Sequence, residues 1–283
     1  MLSLLFKYWG RLPLPLLHGL GRALGRLLFH TMPKAKQLAA ENIKQSQLSP
    51  TAIKEAVQQN FINLGELILE TPYIWQTNNK KTKEIIQSTS GWDEVEAAIA
   101  AKKGIIFLTP HMGCYEVGFH YCALYFPVSV LYRPPKKKWL QPFVIQGRER
   151  SNFRLAEANA TGVRTLVKAL KKGEAIGILP DQVPNAGDGE WADFFGKPAY
   201  TMTLASKLAE KTGATIIMLY GERLAKGQGY VLHCTKVESI NTAALLNKAV
   251  EKQIRQRPEQ YNWHYHRYKV RRKAKEKLQQ DHA

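Results

Sequence analysis

The alternation of apolar and polar positions divides this 283-residue chain into two parts. Over residues 35–70, Ile43, Ile53, Val57, Phe61, Leu64, Leu67 and Ile68 recur at helical steps, so one or two helices are expected there. From about residue 92 the pattern shifts to short apolar runs of strand length: 104–109, 128–132, 175–179, 215–220 and 230–235. Helical stretches separate them, most plainly 161–172 and 203–212, each closed by a glycine just after basic residues. Strands alternating with helices predict an α/β domain with a central sheet flanked by helices. There is no internal repeat and no low-complexity linker, so the chain divides into an N-terminal helix, 1–31, and one α/β domain, 32–283.

The first thirty residues are rich in leucine, but Lys7, Arg11, Arg22 and Arg26 interrupt the run. No small-residue cleavage site follows, which argues against a signal peptide, and no apolar stretch reaches the roughly 20 residues of a spanning helix. On a helix, His18, Arg22 and Arg26 share one face, while Leu17, Leu20, Leu24, Leu27 and Leu28 cover another. The expectation is an amphipathic, membrane-associating helix at the interface; a tilted span remains open. With no acidic residue before Glu41, the flank favours the cytoplasmic side.

Charge sharpens this picture. Forty-one Lys and Arg against 23 Asp and Glu leave +18, and three clusters, 1–40, 132–150 and 267–283, carry almost all of it. Clustered cations imply an anionic partner, here anionic lipids. A nucleic-acid partner is not expected, because no recognised binding module accompanies the charge. Three irregularly spaced cysteines, Cys114, Cys122 and Cys234, offer neither a disulfide framework nor a Cys-x-x-Cys metal site, and no metal or cofactor is expected. P-loop and dinucleotide glycine patterns are absent too.

The candidate chemistry follows the first strong strand, in Thr109-Pro110-His111-Met112-Gly113-Cys114-Tyr115-Glu116. Ligands of open α/β sheets gather at the carboxyl ends of strands. His111 and Glu116 are spaced so that a turn followed by one helical turn brings the carboxylate to the imidazole, fixing its tautomer and leaving Nε2 free as a base. Cys114 is a less favoured nucleophile, and no Gly-x-Ser-x-Gly elbow is present. A base without a protein nucleophile activates a hydroxyl of the substrate, which describes acyl transfer to an alcohol.

Several segments in order carry a family resemblance: His111-x4-Glu116, Tyr132-Arg133-Pro134, Gly147-Arg148-Glu149-Arg150-Ser151-Asn152, Leu179-Pro180-Asp181-Gln182, Asp193-Phe194-Phe195-Gly196-Lys197-Pro198-Ala199, and the closing Gln260-Tyr261-Asn262-Trp263-His264-Tyr265-His266-Arg267-Tyr268-Lys269. Together they resemble the lipid A biosynthesis lauroyl/myristoyl, or late, acyltransferases. The resemblance implies a glycerolipid-acyltransferase-like fold with a mixed central sheet. It also implies transfer of a fatty acyl group from acyl carrier protein to the hydroxyl of a 3-hydroxyacyl chain on a lipid A precursor, at the cytoplasmic face of the bacterial inner membrane. His111 and Glu116 would be the dyad, with Arg133 and Arg150 as oxyanion or phosphate donors. Arg148, the patch Lys136, Lys137 and Lys138, and the pair Asp181 and Gln182 are candidate substrate contacts. An acyl-CoA-dependent glycolipid acyltransferase and a non-catalytic lipid-binding protein are the alternatives.

Overall fold

A computed structural model describes residues 8–48, 53–150 and 152–269. After helical residues at Tyr8 and Trp9, three helices follow among the described residues: α1 (Leu14–Thr31), α2 (Pro33–Ser46) and α3 (Ile53–Gln76). After a short α4 (Asn79–Glu84) the chain alternates: β1 (Ile86–Ser90), α5 (Trp92–Ala100), β2 (Ile105–Leu108), α6 (Tyr115–Cys122), β3 (Val128–Tyr132), α7 (Gln141–Arg148), β4 (Phe153–Glu157), α8 (Ala160–Lys171) and β5 (Ala175–Ile178). A hairpin, β6 (Gly189–Phe194) and β7 (Lys197–Met202), precedes α9 (Leu204–Thr212), β8 (Thr215–Arg223), β9 (Tyr230–Val237) and α10 (Ala243–Ile254).

Seven strands form one sheet in the order β1-β9-β8-β2-β5-β3-β4. β9 is antiparallel to β8 and parallel to β1, so these two run against the other five, giving the mixed sheet expected. Both faces are covered, which is why the central strands read as continuous apolar runs. Ile106, Leu108, Ile176, Ile178 and Met218 point to a core shared with Phe61, Leu166 and Leu208. Their neighbours Ile105, Phe107, Ile217 and Leu219 point to the other side, against Val95 and Phe119.

The helix ends follow local chemistry. Asn159 caps α8 by accepting from Gly162 N–H at 2.9 Å, and Thr242 caps α10 by accepting from Leu245 N–H at 3.2 Å. Burying Leu166 and Leu170 beneath α8 contributes about 1.5–3 kcal/mol each.

α1 corrects the expected assignment of faces. His18 is fully buried, donating from Nε2 to Glu70 Oε2 at 2.8 Å, and Arg22 reaches Glu66 at 3.2 Å, while Leu16, Leu20 and Leu27 face outward. Glycines set this rotation. A Cβ on Gly21 would stand 2.6 Å from the Glu66 backbone and one on Gly25 2.4 Å from the Phe61 carbonyl, so only glycines let α1 lie this close to α3. Glu70 also takes Arg223 Nε at 2.9 Å and Tyr230 Oη at 2.8 Å. Among the described residues, no helix is long and apolar enough to cross a membrane. The first seven residues and the charged tail beyond residue 269 lie outside the described residues.

Candidate active site

The parallel register of β2 and β5 builds the site. Leu108 pairs with Ile178, and each chain then runs three residues further, to His111 and Asp181. Asp181 is buried and takes both of His111's nearby N–H groups: the ring Nδ1 lies 2.8 Å from Oδ1 and the backbone N–H 3.1 Å from Oδ2. A carboxylate only accepts, so Nδ1 donates to Asp181 and Nε2 presents its lone pair on the other side of the ring. Burial pushes the Asp181 carboxyl up, but the facing imidazole and its hydrogen bonds outweigh this and hold it below the usual carboxylate range. The Gln182 amide lies 3.1 Å from His111 Nε2 and donates to that lone pair.

The loop under His111 is held on several sides. Gly113 adopts φ +54°, and a Cβ there would stand 2.1 Å from the Gly221 carbonyl. Gly113 N–H donates to the Gln260 carbonyl at 2.9 Å, Asn262 N–H donates to the His111 carbonyl at 3.0 Å, and Arg223 Nη2 donates to the Gly113 carbonyl at 3.1 Å. The closing Gln260-Tyr261-Asn262 segment is therefore a clamp on the His111 loop. The buried Glu70–Arg223 pair joins that clamp to α3.

The His111–Glu116 contact expected from spacing is not formed. Glu116, also buried, instead accepts from Arg148 Nε at 3.0 and 3.1 Å, from Arg148 Nη2, and from Trp75 Nε1 at 3.0 Å. Helix α6 turns Glu116 toward α7, where Arg148 also lies over the Trp75 ring, 5.6 Å from its centroid. Burial disfavours the Arg148 charge, yet the Glu116 carboxylate more than offsets this and raises its pKa. Arg148 Nη1 has no hydrogen-bond partner among the described residues.

A cavity of about 280 Å³ joins these groups, lined by His111, Glu116, Arg148, Arg133 and Gln182, with Phe119 and Phe153 among its apolar walls. His111 is 18% exposed, enough for a substrate to reach it. Arg133 is exposed at the rim.

Other expected site residues lie elsewhere. Arg150 donates to the carbonyls of Ile74 at 3.2 Å, Trp75 at 2.7 Å and Thr77, closing the C-terminus of α3; it does not line the His111 cavity. Its guanidinium is consumed by carbonyls that the helix end leaves unpaired. Lys136, Lys137 and Lys138 are exposed before α7 and do not line that cavity either. Asp181, expected among substrate contacts, is covered by His111. Cys114 is completely buried, and burial pushes its thiol well above the ordinary range, which disfavours the thiolate that a nucleophile needs.

The family model for bacterial lipid A biosynthesis acyltransferases matches residues 2–270. The chain is 29% identical over 272 residues to the lipid A biosynthesis palmitoleoyltransferase of Escherichia coli (strain K12), covering 93% of this chain and 88% of that protein. It is also 29% identical over 274 residues to the lauroyltransferase of the same organism, covering 92% and 88%. A lipid A biosynthesis acyltransferase of Haemophilus influenzae is 27% identical over 281 residues, covering 92% and 86%. The chain belongs to the bacterial lipid A biosynthesis acyltransferase family.

Proposed function

We propose that this chain transfers a fatty acyl group from acyl carrier protein to the free hydroxyl of a 3-hydroxyacyl chain on a lipid A precursor, with His111 as general base and Asp181, not Glu116, as its orienting acid. The observation that carries this reading is the His111 imidazole, fixed through Nδ1 by a buried carboxylate at 2.8 Å and turning Nε2 to an open cavity.

The acceptor hydroxyl displaces the Gln182 amide at Nε2 and gives up its proton as its oxygen attacks the thioester carbonyl. The C–O bond forms, the carbonyl becomes an oxyanion, and Asp181 stabilises the imidazolium. Collapse breaks the C–S bond, and the imidazolium returns its proton to the departing thiolate. A positioned base contributes roughly 10² to 10⁴ in rate. The oxyanion needs a fixed donor, and Arg148 has Nη1 free while Glu116 holds its other nitrogens. No step forms a bond to Cys114.

The reaction belongs at the cytoplasmic face of the inner membrane. The N-terminal helix meets anionic lipids through the outward face of α1, where Leu16, Leu20 and Leu27 are 44–58% exposed along with Arg26, and Arg11 is exposed just before the helix. Each basic residue at an anionic surface adds about 1 kcal/mol.

The test supplies purified protein with lipid A precursor and either acyl-acyl carrier protein or acyl-CoA, followed by mass spectrometry of the lipid. One added acyl chain with the carrier-protein donor, lost in His111→Ala, supports the reading. Product from acyl-CoA alone, or undiminished product from His111→Ala, rejects it.

A further inference from the structure

The catalytic cavity does not end at His111. Through Leu131, Arg133, Ala158, Gln182 and Met202 it continues into a second groove of about 650 Å³. This groove runs past the carboxyl ends of β5, β3 and β4, the sheet edge where α/β folds take ligands. Three cations line it, Arg133, Arg164 and Lys207, against one acid, Asp188. All three are exposed, and none is ion-paired among the described residues; Arg164 bonds only Thr161 Oγ1, at 3.1 Å.

One of these cations is placed unfavourably: Lys207 lies in the first turn of α9, whereas Arg164, fifth in α8, reaches back to that helix's first turn through Thr161. Neither first turn contains an acid. Positive charge at a helix N-terminus opposes the helix dipole. Both helices thus present their positive ends and an added cation to the same groove, an arrangement that a bound anion relieves. The thioester donor carries a phosphate ester at the end of its pantetheine arm remote from the sulfur, and the lipid acceptor carries phosphates on the sugars that bear its reacting acyl chains.

Resting on the acyl-transfer reading above, we propose that this groove is a phosphate-ester subsite in which Arg164 and Lys207, with Arg133 at the junction, hold the phosphate of one substrate while its reacting group reaches His111. The source is either the phosphopantetheine arm of the donor or the phosphorylated sugar of the acceptor.

The test uses the full chain carrying Arg164→Gln and Lys207→Gln together, with thermal unfolding confirming the native fold. Acyl transfer is measured with acyl-phosphopantetheine against acyl-pantetheine as donor, and with phosphorylated against dephosphorylated acceptor. Each lost charge-assisted contact weakens binding about tenfold or more. The variant is therefore expected to raise KM at least tenfold for one phosphorylated substrate, and to match the unmodified chain with that substrate's dephosphorylated form. Unchanged KM for both phosphorylated substrates, or a rise that persists without the phosphate, overturns the proposal. Calorimetric titration of inorganic pyrophosphate into the His111→Ala protein, with and without the double substitution, separates this from catalysis. Lost pyrophosphate binding in the variant keeps the groove even if no acyl transfer is found with any substrate, whereas equal binding removes it.

Discussion

Replacing Asp181 with asparagine gives the most direct test of which acid serves His111. Two N–H groups of His111, the ring Nδ1 and the backbone amide, converge on the two oxygens of Asp181 at 2.8 and 3.1 Å. Asparagine offers one acceptor and one donor in the same shape. The backbone N–H cannot change, so it keeps the amide oxygen and the NH₂ group turns to Nδ1. The imidazole then carries its proton on Nε2, where the hydroxyl must be received, and can no longer act as a base. The same exchange in a serine-protease triad, which imposes the wrong tautomer, costs about 10⁴ in kcat. A loss of 10³ to 10⁴, about 4–5.5 kcal/mol of barrier, is expected here with little change in Tm. Glu116→Gln should behave differently: it leaves the buried Arg148 without its counter-charge and costs about 3–5 kcal/mol of stability. Single-turnover acyl transfer and thermal unfolding on both variants decide the matter. If Asp181→Asn retains more than a tenth of the rate while folded Glu116→Gln is inactive, the His111–Asp181 assignment is wrong.

Three further outcomes follow from the same packing. Iodoacetamide under native conditions should leave Cys114 unmodified and the rate unchanged, and no acyl-enzyme should be trapped without acceptor; a labelled or acylated Cys114 by peptide mass spectrometry would refute direct transfer. Burial holds the His264 pKa down to about 4, and burial with the charges of Arg150 and Arg148 holds His120 well below its usual value. The unfolded chain protonates both below about pH 6.5 while the native chain does not, so stability should fall by up to about 1.4 kcal/mol per pH unit for each histidine between pH 6.5 and 4. His120, whose two buried ring nitrogens have no hydrogen-bond partner among the described residues, should lose its share of that slope on substitution by leucine, measured by urea unfolding at pH 5 and 7. Finally, Gly113→Ala combines a left-handed backbone with a contact of 2.1 Å to the Gly221 carbonyl and should cost about 3 kcal/mol or more together with most activity; a native Tm would show the loop is not clamped as described.

Much of the architecture was legible because burial leaves a local imprint. β2, β3, β5, β8 and β9 were all foreseen: β2 and β5, covered on both faces, are apolar throughout, and β3, β8 and β9 keep enough buried apolar positions to show, while α8 and α9 were marked by terminal glycines, Gly173 at φ +77° and Gly213 at φ +65°. β1, with sequence Ile-Gln-Ser-Thr-Ser, and β4 were not read as strands, because edge strands are half-exposed and carry polar side chains. His111 stood out by its position after a strand. Its partner did not, because the spacing from His111 to Glu116 is visible along the chain whereas the approach of Asp181 depends on β5 lying beside β2. Arg148 and Arg150, two residues apart, illustrate the same limit: one guanidinium meets a buried carboxylate in the cavity and the other meets the end of α3.

Local periodicity, composition and ordered motifs were enough to read the buried strands, the helices α8 and α9, the excess of positive charge and the family. Strand order, the rotation of α1 that buries His18, and the choice of Asp181 over Glu116 were decided only in three dimensions, because hydrogen bonds form between groups that folding brings within 3 Å and not between groups that are near in number.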